Sequence, residues 1–566
     1  MLTLLQNRFH DAVSALAYSF ASPHADDDDL QPPYNDLTAF VLRQHARLPD
    51  YLRTPLLLAT LGFDATGFHR RPPEERARQI ARWKRSAFAS ARDLMRYHES
   101  LATFALYSRC ESAPAMLPSA PASPPAEPRC EIVVIGSGPG GSITACLLAE
   151  AGRQVLLLEE GDLFSPDSCV PFSREEMEQK YRHGGQAVAL GTEKISYVEA
   201  CCAGGGSEIN SGLYHRTPPD ILERWQKEFQ VADLTEETLA AHFEAVERTL
   251  SVSFLNSPAP AASLKLQQGA VQLGWKAIEA PRWFSGAVRQ CMTRTYLARY
   301  LRTGNRLLTR TRAFRLRRTT RGWTVFAEHP AGQLQIHARF VFLCGGAIQT
   351  PALLLRSGFR RNIGHSLQLH PTVKATARFG EPVNFAGMGV PVHQVKEFAP
   401  RLSFGCSISS RPHLALALLD HPQGLAEMRT AWTHMANYYA MITPQGTGTV
   451  RLFPGCRSPL VRYRLTADDH RNLDDGLQKL TKILRAAGAV AIYPNTNLMT
   501  IHLFSSCPMG ENTARCAANS YGQLHECNSL YINDASLLCT APGVNPQGTI
   551  MAIARRNVLH FLNATP

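Results

Sequence analysis

The sequence predicts an α/β protein in which a doubly wound, parallel-sheet domain follows a helical N-terminal extension. Three observations carry this. A buried-strand pattern runs into a glycine-rich turn, a helix and a second strand between residues 130 and 160. Apolar residues recur at helical spacing through the first 110 residues. Between the two, fourteen of the nineteen residues from Glu111 to Arg129 are Pro, Ala or Ser, an extended linker with little to pack. The length of 566 residues allows several packed units, and the 45% hydrophobic, 19% charged composition excludes a disordered or fibrous chain.

In the extension, Leu2, Leu5, Phe9, Val13 and Leu16 form one apolar stripe. A second helical pattern covers 73–107. It opens on Pro72-Pro73 and Glu74-Glu75, residues suited to the positive end of a helix. Residues 70–96 carry nine Lys or Arg against three acids. This basic face is expected to be solvated, or to offer a peripheral contact to an anionic membrane surface or a protein partner.

The net charge of +12 is mild for this length and points to no nucleic-acid partner. No apolar run approaches the ~20 residues of a spanning helix, and the first 25 residues lack the layout of a secretory signal. A cytoplasmic protein, at most peripheral to a membrane, is expected. The fourteen cysteines include no C-x-x-C pair and no zinc spacing, so buried reduced thiols are expected and no metal site. The vicinal pair Cys201-Cys202 is the one candidate for redox work.

The run from Cys130 to Ile135 leads into Gly136-Ser137-Gly138-Pro139-Gly140-Gly141, then a helix, then Val155 to Leu158, ending at Glu159. Each part has a mechanical task in binding a dinucleotide. Gly136 makes the tight turn. Gly138 lets the backbone approach a pyrophosphate, and Gly141 lets helix and strand pack closely. The helix N-terminus faces phosphate charge. Glu159 accepts hydrogen bonds from a ribose diol, which disfavours a 2′-phosphate but does not separate NAD from FAD.

Further segments decide between them. Gly204-Gly205-Gly206-Ser207-Glu208-Ile209-Asn210 permits close approach to a flat ligand. Gly345-Gly346 to Gly358 follows a strand, and His370-Pro371 comes soon after. Asn533-Asp534, then Pro542-Gly543-Val544-Asn545-Pro546-Gln547-Gly548-Thr549, precede a closing helix. In this order the four motifs resemble the glucose–methanol–choline (GMC) flavin oxidoreductase family over about 130–566. The resemblance implies FAD, held non-covalently, in a Rossmann-like domain with an interleaved α+β substrate domain covering the flavin. It implies that Gly205, Gly206 and Asn210 lie near the flavin ring and that Asp534 meets the ribityl–pyrophosphate part, with Asn545 and Thr549 also in the cofactor-binding segment. Some members bind flavin covalently through a His just before the matching Asn. Ile209 stands there in this chain.

The resemblance also assigns the chemistry. His502 opens an H-x-x-x-x-C-x-M-G segment whose His is the family's catalytic base, and its partner position is Asn545. A neutral imidazole suits removal of an alcohol proton as hydride leaves carbon for the flavin. Asn545 would orient the alcohol oxygen. His370 reads as structural, and His215 as a residue that could face the pocket. The expected activity is FAD-dependent oxidation of the CH–OH group of a small-molecule alcohol, with oxygen or a quinone as electron acceptor. The alternatives are a flavin lyase or photodecarboxylase of the same fold, or an NAD-dependent dehydrogenase. The expected division is a helical extension 1–110, a linker 111–129, an FAD-binding domain 130–215, 305–375 and 501–566, and a substrate-binding domain 216–304 and 376–500.

Overall fold

A computed structural model of the chain describes residues 2–24, 35–109, 119 and 129–565. The acidic run Asp26 to Asp29 and all of the linker except Ser119 and Arg129 lie outside the described residues.

The first strand, Arg129–Ile135, sits centrally in a seven-stranded sheet, parallel to Val155–Leu158 on one side and to Gly332–Leu343 on the other. Ile132, Val133 and Val134 are wholly buried. Both faces of the sheet are covered, which is why this segment reads as a continuous apolar run rather than an alternation. Arg306–Leu308 extends one edge. On the other side the long strand Gly332–Leu343 pairs with the hairpin Arg312–Thr319 and Gly322–His329 through its first half, and with Leu530–Ile532 at its end. The seven-arginine run 306–321 thus forms two strands, and most arginines of the second face outward.

A second sheet of eight strands is almost entirely antiparallel. Its order is Ala187–Ala189, Ile195–Tyr197, Ala491–Thr500, Thr372–Arg378, Met435–Ile442, Leu402–Cys406, His393–Val395, Ala277–Glu279. One face buries Val373, Ala375 and Ala377 beneath the helices Ala467–Ala486 and Ala261–Gln272. The opposite face looks toward the first sheet, and the cavity lies between.

The domain division differs from the sequence expectation in three places. Helices Pro219–Phe229, Glu236–Leu250 and Tyr296–Arg302 bury Trp225, Phe243 and Tyr296 in the same core as Ile132 and Leu157, so they belong to the nucleotide-sheet unit. The short strands at 187–197 are an edge of the second sheet. Thr372–Arg378 lies wholly in that sheet, across the expected boundary at 375. An amphipathic helix announces that one face will be buried but not against which sheet.

The extension is five α-helices, Leu2–Ala21, Asn35–Arg47, Asp50–Phe63, Pro73–Lys84 and Ala89–Ser108, among the described residues. The second helical pattern is therefore broken, at Arg85–Phe88. Phe9, Val13 and Leu16 are buried, whereas Leu5 stays exposed. The extension is not a free appendage. Its core continues into Leu414, Leu418, Leu425 and Met428, on helices Arg411–Ala417 and Pro422–Ala431 beside the second sheet. It also grips the segment 173–186. Asp36 receives two hydrogen bonds from Arg174, at 2.9 and 3.1 Å, and Gln186 donates to the Gln44 carbonyl at 2.8 Å. Among the described residues no helix is long and apolar enough to cross a membrane.

Candidate active site

A cavity of about 460 Å³ runs between the sheets from the first glycine turn to His502. At its nucleotide end, Gly136 has φ +100°, and a Cβ there would lie 2.4 Å from the Cys344 carbonyl oxygen. At Gly141 a Cβ would stand 1.8 Å from the Gly136 oxygen, so this glycine sets the strand–helix contact without lining the cavity. Gly138 borders the cavity, and a Cβ there would meet nothing closer than 3.9 Å. The open space beside Gly138 and the N-terminus of helix Pro139–Glu150 form a cradle for phosphate.

Glu159 is buried at the end of the second strand. Its Oε2 accepts from the Ser137 amide at 3.0 Å and hydroxyl at 2.6 Å, and its Oε1 accepts from the Gly161 amide at 2.8 Å. Oε1 keeps capacity for one more donor. The Ser137 hydroxyl in turn accepts from the Gly204 amide at 3.1 Å, which ties the first glycine turn to the second. The contact continues at Gly205, where a Cβ would lie 2.6 Å from the Gly138 Cα.

Arg289 locks the second turn. Its guanidinium donates to the carbonyls of Ser207, Glu208 and Asn210, at 3.0, 2.7 and 2.5 Å, and to Asn210 Oδ1 at 3.2 Å. Gly206, Ile209 and Asn210 line the cavity above it.

The far end is built by the two strands that flank Pro371 and Thr500. The Thr500 hydroxyl accepts from the amides of His370, at 3.3 Å, and His502, at 3.1 Å, so one side chain sets both histidine backbones. Nδ1 of His370 and Nδ1 of His502 lie 3.0 Å apart. One hydrogen is shared between them, so one ring carries it and the other accepts it. His502 Nε2 faces Asn545 Nδ2 at 3.4 Å. An amide nitrogen only donates, so this contact needs Nε2 bare and leaves the hydrogen of His502 on Nδ1. Asn545 Oδ1 accepts from Gln394 at 3.4 Å, and the Gln394 amide also donates to the Tyr439 hydroxyl at 3.2 Å. Gly405 lets Tyr439 lie across its strand, for a Cβ there would sit 2.5 Å from the hydroxyl.

Burial, reinforced by the Lys396 ammonium, pulls His502 down to about 3. His370 is held well below its ordinary value, by burial first and then by His502 and Lys396. Both rings are neutral near pH 7. Lys396 donates to the Ser403 hydroxyl at 2.8 Å, and burial draws it down to about 8.

Other histidines behave alike. His98, His215 and His413 are each drawn down to about 3, burial being the largest cause. The unfolded chain takes these protons near pH 6.5 and the folded chain refuses them until about pH 3, so their stability contribution is complete above 6.5 and lost as pH falls toward 3. Each withheld proton favours the unfolded chain increasingly as pH falls across that window. The expected result is a melting temperature that falls steadily from pH 7 to pH 4. A flat profile would refute neutral burial of these rings.

Comparison with known proteins agrees with this architecture. Residues 177–372 and 408–554 match the family profiles described as GMC oxidoreductase, and residues 134–187 match an NAD(P)-binding Rossmann-like domain. An uncharacterised GMC-type oxidoreductase of Sinorhizobium fredii is 37% identical over 470 residues, covering 75% of this chain and 93% of the relative. The chain belongs to the GMC oxidoreductase family. This GMC oxidoreductase is also 26% identical to a long-chain-alcohol oxidase of Arabidopsis thaliana, over 75% of its own length and 67% of that protein's. Among solved structures it shares its fold with pyridoxine 4-oxidase from Mesorbium loti, with TM-score 0.64, 18% identity, and coverage of 77% of this chain and 99% of that one.

FAD is the cofactor of this GMC oxidoreductase. The residues present fit it: the open flank of Gly138 would admit the pyrophosphate, and the spare lone pair of Glu159 Oε1 would take a ribose hydroxyl.

Two residues named from sequence are committed to protein partners. Thr549 does not line the cavity; it is buried, and its hydroxyl receives a 2.8 Å hydrogen bond from Thr217. Asp534 does line it, but both its oxygens are engaged by protein donors, Gly346 at 2.8 Å and Thr350 at 2.5 Å on Oδ2, and the Ser536 amide and hydroxyl at 2.8 and 2.5 Å on Oδ1. Its carboxylate holds the Gly346 turn in place. His215 sits behind Gln394, outside the cavity lining. Cys201 is pushed up to about 12 by burial and burial also raises Cys202 well above its ordinary value, so neither is a thiolate at neutral pH.

Sequence reading passed over His370 as structural and missed Thr500, Gln394 and Arg289 altogether. His370 carried a signal, the His-Pro dipeptide entering a strand. The other three sit in ordinary strand or hairpin patterns and are marked out only by what lies opposite them.

Proposed function

We propose that this protein oxidises the CH–OH group of an alcohol, with His502 as base and Asn545 as the group that orients the alcohol oxygen. One observation carries the reading. His502 spends Nδ1 on His370 and turns a bare Nε2 toward Asn545 at the cavity surface. An alcohol oxygen beside both would accept from Asn545 Nδ2 and donate its proton to Nε2. His370 supports this by accepting from Nδ1, which holds the ring in the productive tautomer. Gln394, braced on Tyr439, keeps the Asn545 amide from rotating its oxygen toward the substrate. FAD supplies the acceptor for the hydride that leaves the carbinol carbon. Ile209 offers no atom for a bond to the flavin, so the cofactor is held non-covalently.

The relatives support the reaction class: alcohol oxidation is named for the Arabidopsis enzyme at 26% identity. The test is anaerobic mixing of the purified yellow protein with primary, secondary, aryl and sterol alcohols, followed by flavin absorbance. Bleaching that saturates with at least one alcohol is expected. Failure of every alcohol class, in protein whose flavin is bleached by dithionite, would overturn the reading in favour of a flavin lyase or a structural flavin.

A further inference from the structure

Four carboxylates line the cavity, and each is committed. Glu159 accepts from Ser137 and Gly161, Asp534 from Gly346, Thr350 and Ser536. Glu160 pairs with Arg182 at 2.9 Å and Arg312 at 3.4 Å. Glu199 lies 3.8 Å from Arg182 and accepts from Gln349 at 3.3 Å. Beyond Arg182 and Arg312, the lining cations are Arg356, which donates to the Arg457 carbonyl at 2.5 Å, and Lys374.

Lys374 stands on strand Thr372–Arg378, directly opposite Tyr439 on one neighbouring strand and Asn495 on the other. Paired residues of antiparallel strands share a face, so Lys374 shares the cavity face with Tyr439 while Val373 and Ala375 point into the core. Among the described residues the Lys374 ammonium has no hydrogen bond and no ion pair. Burial pulls its ammonium down to about 8, with no acid to hold it up. An ionisable neighbour, His413, is kept neutral by burial and by Lys374 itself. His413 is bonded to Ser410 at 2.8 Å and backed edge-on by Phe104 of the helical extension, ring centres 5.8 Å apart. His413 thus lines this end of the cavity.

An ammonium facing a cavity between two sheets, without a counter-charge, destabilises the fold unless something pairs with it. Lys374 lies four residues beyond His370, roughly 13 Å along the strand at about 3.3 Å per residue. We propose that Lys374 receives an anionic group at the far end of the substrate, so that the alcohol taken is a hydroxy acid whose carboxylate meets Lys374 while its hydroxyl lies between His502 and Asn545. This deepens the alcohol-oxidation reading and rests on it for the hydroxyl end only.

The test uses FAD-loaded protein, wild type, Lys374→Met and Lys374→Arg, each checked for equal flavin content. First, straight-chain alkanoates, which carry the anion but no alcohol, are titrated while the visible spectrum of the flavin is followed. Second, ω-hydroxyalkanoates and n-alkanols of matching chain length are compared as anaerobic reductants. Wild type is expected to bind alkanoate, and to half-saturate with the hydroxy acid at roughly ten- to a hundredfold lower concentration than with the alkanol, the worth of a charge-assisted hydrogen bond. Lys374→Met abolishes both effects with the alkanol unchanged, and Lys374→Arg keeps part of each. The proposal falls if wild type shows no preference for the acid. It also falls if Lys374→Met slows alkanol and hydroxy acid equally, which would place the lysine on the cofactor. If alkanoate binding depends on Lys374 but no alcohol bleaches the flavin, the anion site stands and the alcohol reading fails.

Discussion

Replacing His502 with alanine is expected to slow bleaching of the flavin by a saturating alcohol by roughly 10²–10⁴-fold, the usual worth of a positioned general base. FAD content should be unchanged, because the residues that cradle the nucleotide stand at the other end of the cavity. Two nearby imidazoles cannot take over, His370 being fully buried behind His502 and His215 lying outside the cavity lining, while His413 borders the cavity beside Lys374 with its Nδ1 bonded to Ser410. The variant leaves His370 Nδ1 without its partner in a buried place, so a loss of about 1–3 kcal/mol in stability accompanies it. A thermal melt separates that cost from the kinetic one, and His370→Gln gives the contrast. With the base present but its tautomer unsupported, the rate should fall less than in His502→Ala. Near wild-type bleaching in His502→Ala would remove the imidazole from the mechanism.

The two glycine variants Gly138→Ala and Gly141→Ala are expected to fail in different ways. A methyl at Gly141 would stand 1.8 Å from the Gly136 carbonyl oxygen, backbone that cannot yield without pulling helix Pro139–Glu150 off the first strand. That variant should yield little folded protein. A methyl at Gly138 meets no protein atom within 3.9 Å. It projects beside the cradle instead, so Gly138→Ala should fold with the wild-type far-ultraviolet signature and lose bound FAD. The readouts are soluble yield, circular dichroism and the ratio of flavin to protein absorbance. Equal flavin content in Gly138→Ala and wild type would show that the pyrophosphate does not approach this residue. Normal folding of Gly141→Ala would show that the strand–helix contact is looser than described.

How far the site could be read without coordinates depended on whether its residues are neighbours in the chain. The Gly136–Glu159 unit is contiguous, and its geometry follows from steric rules acting within one strand–turn–helix–strand. Asp534 and Thr549 show the limit. Both stand in segments that reach the cavity, yet a motif does not say whether a polar side chain turns to the ligand or to its own backbone. Of the competing donors to Asp534, Ser536 is two residues away but Gly346 and Thr350 come from elsewhere in the chain, as Thr217 does for Thr549.

What the sequence determined by itself was local. It set the nucleotide turn, the helical extension, the order of the four motifs and the presence of His502 and Asn545 in the last seventy residues. The tertiary structure decided which surfaces meet. It joined the extension to the second sheet, moved three helices into the nucleotide core, set His370 against His502, and left Lys374 facing the cavity without a counter-charge. Periodicity reports that a residue is on a buried face, through the 2- and 3.6-residue repeats of the backbone. The partner across that face lies tens to hundreds of residues away, and hydrogen bonds, desolvation and charge pairing are properties of the pair.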